Sequence, residues 1–236
     1  MEKLAGIILM AGLSTRFEGP ENKQLSLLNG KPVFSYSIDT FANRKFDELV
    51  IAVNKDNKET IENYVKKAGI SAKIVLGGDT RQRSVRNALS QLKLSKDDIV
   101  VIHDAARPLV DTFIINQVIK AAKEKGGSTA YLESTNTLAV KNENNEVIEF
   151  VDRTTIAQIQ TPQAFKYKLL KDAHEKAKDV DSTDDCSLVM KLGAKIALVK
   201  GDKKYHKITT KEDIKYLQNI VGERQRRQRR YQSTRR

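Results

Sequence analysis

The chain has 236 residues, 39% of them hydrophobic and 31% charged, with a formal net charge of +12. That length suits one α/β domain with a real core, and no apolar run approaches the ~18 residues of a membrane span. The single cysteine, Cys186, excludes an internal disulfide and fits a reducing, cytoplasmic setting.

The first element is Leu4–Met10, LAGIILM, an apolar run that breaks into a small polar loop carrying Arg16 and Lys23. Such a run reads as a strand buried on both faces, as in a parallel sheet. Ligands of open α/β sheets bind beyond the carboxyl ends of these strands, and two fixed cations there suit a polyphosphate. Neither common nucleotide loop is present, because Gly30-Lys31 runs into Pro32 and no G-x-G-x-x-G follows the strand. Taken alone, the stretch reads equally well as a solvated βα connection.

Helix and strand then alternate. Pro32–Asn43 places Val33, Tyr36 and Phe41 on one helical face; Glu48–Val53 is a strand; Lys58–Ala68 is an amphipathic helix closed by Gly69. Ala72–Leu76 is a strand leading into Gly77-Gly78-Asp79, after which Asp79 or Thr80 caps a helix through Ser84 and Leu89. Ile99–Ile102 is a strand ending in His103-Asp104-Ala105-Ala106-Arg107-Pro108, and Asp111–Lys125 a helix closed by Gly126-Gly127. This alternation predicts an α/β fold with a mostly parallel sheet flanked by helices.

After a strand at Thr129–Leu132 the pattern changes. Residues 133–152 read as a protruding β-arm, with Thr137–Val140 and Val147–Val151 around a polar turn. A lone hairpin needs a partner surface, and a homodimer is the economical expectation. Gln160-Thr-Pro-Gln163 reads as a turn, Lys166–Lys178 as a helix, Asp181–Asp185 as a cap for the helix Cys186–Leu192, and Lys195–Val199 as a strand. The last helix is Lys211–Val221. Residues 222–236 hold seven Arg and one Glu, half the net charge of the chain, and read as a disordered tail able to grip nucleic acid. A catalytic domain over 1–221 and this tail are the expected divisions.

Three polar clusters follow predicted strands and share one sheet edge: Arg16 with Lys23; Gly78-Asp79 with Ser84; and Asp104 with Arg107. Arg153, Thr161, Asp184 and Lys207 join them from later segments. Cations with one carboxylate form a site for Mg²⁺-bound phosphates, since Mg²⁺ takes a carboxylate or two plus phosphate oxygens. Gly77-Gly78 lets backbone approach a flat base. His103, His174 and His206 read as packing residues, and no His/Cys cluster has zinc spacing.

AGLSTR…KQ, GGDTRQRSV, HDAARP, DR…QTPQAF, STDD and KITTKED together resemble the 2-C-methyl-D-erythritol 4-phosphate cytidylyltransferases over residues 4 to about 221. The resemblance implies a Rossmann-like nucleotidyltransferase fold, a dimerising arm, CTP, a sugar-alcohol phosphate acceptor, Mg²⁺ and pyrophosphate release. By position, it makes Arg16, Lys23 and Lys207 the catalytic cations. Ala11, Gly12, Gly78, Asp79 and Ser84 become nucleotide contacts, and Asp104 the acid beside metal and substrate. Arg107, Thr137, Arg153 and Thr161 fall on the acceptor side, with Arg153 supplied by a partner's arm.

The pattern is not complete. Ser14 and Asn22 stand for the usual Gly and Pro of the first loop, Asn136-Thr137-Leu138-Ala139 for Asp-Thr-x-Lys, and Tyr205 for an Asn near the last Lys. The sister family, ribitol-5-phosphate cytidylyltransferase, shares the fold, CTP and QTPQ, and the missing Lys at Ala139 leans toward it, while HDAARP and RQRSV lean to the methylerythritol enzymes. A more distant reading is a nucleic-acid-binding protein acting through its basic tail.

Overall fold

The structure, a computed structural model, describes residues 2–12, 17, 23–177, 182 and 184–233, the last eleven as backbone only. Arg16 and the rest of the first loop's 13–16 and 18–22 lie outside the described residues.

In chain order the elements are β1 (Leu4–Met10), β2 (Leu27–Leu28), β3 (Lys31–Pro32), α1 (Val33–Arg44), β4 (Glu48–Val53) and α2 (Lys58–Lys67). There follow β5 (Lys73–Leu76), α3 (Arg81–Leu89), β6 (Ile99–Asp104), α4 (Thr112–Lys125) and β7 (Gly127–Glu133). The chain ends with β8 (Leu138–Lys141), β9 (Val147–Val151), β10 (Ala157–Lys166), α5 (Tyr167–Lys176), α6 (Asp185–Met190), β11 (Ile196–Lys200) and α7 (Lys211–Ser233). Seven strands form one sheet in the order β11-β7-β10-β6-β1-β4-β5. All neighbours are parallel except β10, which runs antiparallel to both β6 and β7.

Period-two alternation in buried strands supplies both layers of the core. Ile8 and Met10 of β1 face α1, α2 and α4, packing with Phe34, Phe41, Ile61 and Ile115. Ala5, Ile7 and Leu9 face the other way, onto Val85 of α3, Leu170 of α5 and Leu188 of α6. A third cluster joins Leu28 and Val33 to Ile208 and Leu217, pinning the start of α7 over the small β2–β3 hairpin. The chain leaves β1 for β4 on one side and returns to β6 on the other, so strand order reverses at the β1–β6 pair. That crevice is where the topology places a ligand.

Two expectations are corrected. Residues 160–163 are not a turn: they belong to β10, a ten-residue strand between β6 and β7. Pro162 normally argues against a central strand, having no N–H for the ladder, but here it falls where the pairing with β7 shifts register between Ile159 and Gln163. The last helix also does not stop at Val221. It runs to Ser233, so residues 222–233 are helical rather than the disordered tail the charge run implied. Arg and Gln are good helix formers, and the turns anchored by Leu217 provide the nucleus.

Candidate active site

The crevice beyond β1 and β6 is built by register. Leu9 pairs with Asp104, and the Ala105 N–H donates to the Leu9 carbonyl at 3.0 Å, bringing Ala11-Gly12 beside the carboxylate. From β5, beyond β4 at the edge of the sheet, comes the Gly77–Thr80 loop. A Cβ on Gly77 would stand 2.3 Å from Ala11 Cβ, and one on Gly78 would stand 2.3 Å from Arg83 Cβ, so both glycines are dictated by close approach. Ser84 braces this loop: its hydroxyl accepts from the Gly78 N–H at 3.1 Å and donates to the Thr80 carbonyl at 2.9 Å. Thr80, rather than Asp79, is the α3 cap, accepting from the Arg83 N–H. Asp79 is exposed and paired with Arg83.

Ala11, Gly12, Lys23, Gly78, Asp79, Ser84, Asp104 and Lys207 line one cleft. A second, of about 620 Å³, adjoins it and shares Arg81, Asp104 and Lys207; Arg107 and Thr161 enter there, with Ile159, Met190 and Leu198 on its apolar side. The two clefts therefore meet at Asp104.

Asp104 is the electrostatic centre. Lys207 Nζ lies 2.6 Å from Oδ2 and Arg81 Nε 3.3 Å from Oδ1. Burial opposes its charge, but Arg81, then Lys207 and Arg107, more than offset that and hold it far below the usual carboxylate range. It is ionised at every working pH. Below it runs a hydrogen-bond chain: the Asp104 N–H donates to Thr161 Oγ1 at 3.1 Å, Thr161 Oγ1 lies 3.0 Å from His103 Nδ1, and His103 Nε2 lies 3.1 Å from the Arg107 carbonyl. Because a carbonyl only accepts, Nε2 carries the proton, and Nδ1 accepts from Thr161. Burial pushes the fully buried His103 down to about 4, so it is a neutral strut and not a proton shuttle.

The first loop's Arg16 lies outside the described residues. Thr137 and Arg153 are described but stay out of both clefts. Arg153 donates to the Thr135 carbonyl at 2.9 Å and lines a separate hollow with Tyr131, Ser134 and Leu198, while Thr137 sits exposed just before β8. Arg81, which sequence reading passed over, is at the centre; its only sign was membership of the GGDTRQRSV stretch. Tyr205 lines neither cleft: its side chain is buried, its hydroxyl donating to Asp111 Oδ1 at 3.0 Å, and its carbonyl accepts from Arg107 at 2.8 Å.

A cleft of small residues and fixed cations against an ionised acid, meeting a second cleft at that acid, is the layout of a nucleotidyl transfer site. The sequence pattern of the 2-C-methyl-D-erythritol 4-phosphate cytidylyltransferases matches residues 4–223. The chain belongs to that family. The cytidylyltransferase of Thermosipho africanus is 39% identical over 93% of this chain and 99% of its own, and that of Clostridium tetani 36% identical over 94% and 91%. Among solved structures, the Anaerococcus prevotii 4-diphosphocytidyl-2C-methyl-D-erythritol synthase covers 94% of this chain and 99% of its own with a TM-score of 0.81 at 27% identity. The Thermus thermophilus cytidylyltransferase covers 93% and 98% with 0.75 at 28%. The chain is thus a nucleotidyltransferase of the cytidylyl class, with the Rossmann-like α/β fold of its family.

The family implies a divalent cation. Among the described residues no group of three or more His, Cys, Asp or Glu could cage one. The donor set fits Mg²⁺ in its usual mode, one ionised carboxylate at Asp104 with phosphate oxygens and waters completing the shell.

Proposed function

We propose that this enzyme transfers the cytidylyl group of CTP to 2-C-methyl-D-erythritol 4-phosphate, in isoprenoid precursor synthesis, with nucleotide in the Gly12–Gly78 cleft and acceptor in the cleft beside Thr161. The observation that carries this reading is the meeting of both clefts at Asp104 and Lys207.

An oxygen of the acceptor phosphate attacks the α-phosphorus, the bond from that phosphorus to the bridging oxygen breaks, and pyrophosphate leaves with the electron pair. No general base is required. A phosphate monoester has a second pKa near ~6 and is already dianionic at neutral pH. The barrier is charge, and preorganised cations address it. Lys23 and Lys207 border the nucleotide cleft and serve the phosphates, with Arg16 assigned to them by sequence alone; Ala11, Gly12, Gly78, Asp79 and Ser84 shape the base and ribose side. Arg107 and Thr161 border the acceptor. A bound Mg²⁺, held through Asp104, supplies neutralisation of the triphosphate.

The arm completes the site in a dimer. Val140, Val147, Ile148 and Phe150 are exposed on the β8–β9 pair, apolar surface that a two-stranded hairpin cannot cover by itself. Docking against a second copy covers them and offers Arg153 and Thr137 to the other chain's acceptor phosphate.

The test is pyrophosphate release with CTP and Mg²⁺, supplying either methylerythritol 4-phosphate or ribitol 5-phosphate. Turnover with the first, and at least tenfold lower kcat/KM with the second, is expected. The reverse order would assign the chain's chemistry to the pentitol acceptor and make Asn136 and Ala139 the specificity residues.

A further inference from the structure

Arg81 is the first residue of α3 and borders both clefts. Its guanidinium is forked between two carboxylates: Nε lies 3.3 Å from Asp104 Oδ1, and Nη1 2.5 Å from Asp185 Oδ2. Asp185, at the start of α6, is 1% exposed and also accepts from His174 Nε2 of α5 at 2.9 Å. The chain Lys207–Asp104–Arg81–Asp185–His174 thus ties the site to three helices on one face of the sheet. It is not arranged for stability alone. Arg81 Nη2 and His174 Nδ1 are shut off from solvent without a partner among the described residues, a costly choice for a merely structural cluster.

The two cations on Asp104 differ in kind. Lys207 sits on the segment before α7, its side chain 34% exposed, and it is a point charge on a flexible stem. Arg81 is a planar fork whose second arm is fixed by a carboxylate that is itself held by a buried histidine. When phosphates enter beside Asp104, one cation can turn to them and one cannot.

We propose that Arg81, anchored by Asp185 and His174, is the positioning residue that holds Asp104 in place while Lys207 leaves it for a substrate phosphate. This rests on the cytidylyl-transfer reading of the same site. Without Arg81, the departure of Lys207 would leave the Asp104 carboxylate with no side-chain ion pair among the described residues to fix its orientation, and the ammonium would stay on Asp104. Arg81 therefore acts on the chemical step through Asp104 and contributes little to the grip on CTP.

The experiment is kcat and acceptor KM for Arg81→Lys and Asp185→Asn, with CTP affinity measured separately without acceptor. Arg81→Lys keeps a charge but lacks the fork; Asp185→Asn keeps shape but loosens the anchor. For Arg81→Lys the expected result is a kcat at least tenfold lower with CTP Kd within threefold, and for Asp185→Asn a smaller loss in the same direction. Arg81→Gly supplemented with methylguanidinium should regain turnover severalfold, and with methylammonium should not. A purely structural role would lower folded yield but leave kcat per folded chain unchanged and give no rescue. Folded Arg81→Lys and Asp185→Asn with kcat within threefold of wild type would overturn the proposal. The wild-type chain run alongside separates the two readings, since its own failure to turn over would sink cytidylyl transfer first.

Discussion

At the scale of single residues, environment rather than identity assigns the roles. His103 ends a central strand next to the acid at the site, and in the sequence it reads as a packing residue. Burial and the fixed Thr161–His103–Arg107 hydrogen bonds make it a neutral strut. Its folded pKa of about 4 lies below the ordinary histidine value of 6.5, so the unfolded chain binds the proton more readily. Its contribution to stability is complete above pH 6.5 and is lost as pH falls from there toward 4, in total roughly 3 kcal/mol at 1.36 kcal/mol per unit. Denaturant titrations at pH 7 and pH 4.5 should show this loss in the wild type and a clearly smaller one in His103→Gln.

Lys23→Ala should lower kcat by about 10²–10³, the order seen when one preorganised charge stabiliser is removed, while Arg153→Ala should chiefly raise acceptor KM. Steady-state kinetics in both substrates distinguishes them; a Lys23→Ala enzyme with full kcat would remove that lysine from the chemistry. Gly77→Ala should cost stability and nucleotide affinity together, because its methyl group has no space between Ala11 and Ser84.

Among the elements, legibility divides by whether the signal is local. Parallel strands announce themselves as apolar runs, and β1, β4, β6 and β7 were all readable, as were the arm's two strands. The helix start near Asp111 and a cap within Asp181–Asp185 were also legible, though not that Asp111 and Asp184 are the capping residues. β10 was not, because its central Pro162 reads as a turn until the bulge opposite β7 is known. Within that irregular stretch Thr161 lies under the Asp104 backbone and accepts from its N–H, the kind of re-aiming that bulges commonly perform. Arg81 was unreadable for a related reason. One more cation in an Arg-rich helix start carries no sign that its partners sit 23 and 104 residues away.

The arm makes an element-scale prediction. If Arg153 serves the partner's acceptor site, mixing Lys23→Ala with Arg153→Ala chains should restore activity beyond the sum of the two, because some mixed dimers carry one intact site. Initial rates before and after subunit exchange decide it. No gain would place Arg153 in its own chain's function.

For the whole molecule, the packed residues of α7 lie in its first half, before the basic extension. Leu217 is fully buried and packs with Ile208 and Leu28, and Ile214, Ile220 and Val221 border the same cluster. Leu217→Ala should therefore destabilise the fold by about 2–5 kcal/mol. Removing residues 224–236 should leave kcat/KM for CTP within twofold, since the matched family pattern ends at 223. A large loss on truncation would make the extension part of the enzyme.

The central claim is that a phosphate oxygen of the acceptor and the α-phosphorus of CTP meet beside Asp104 and Lys207. The direct measurement is ³¹P NMR of CTP, Mg²⁺ and methylerythritol 4-phosphate with the intact chain, and with Lys207→Ala in parallel. A growing pair of diphosphate-ester resonances with stoichiometric pyrophosphate, slowed at least a hundredfold in Lys207→Ala, is the predicted result. A folded, CTP-binding chain that yields no cytidine diphosphate ester, or Lys207→Ala turning over at the wild-type rate, would contradict it.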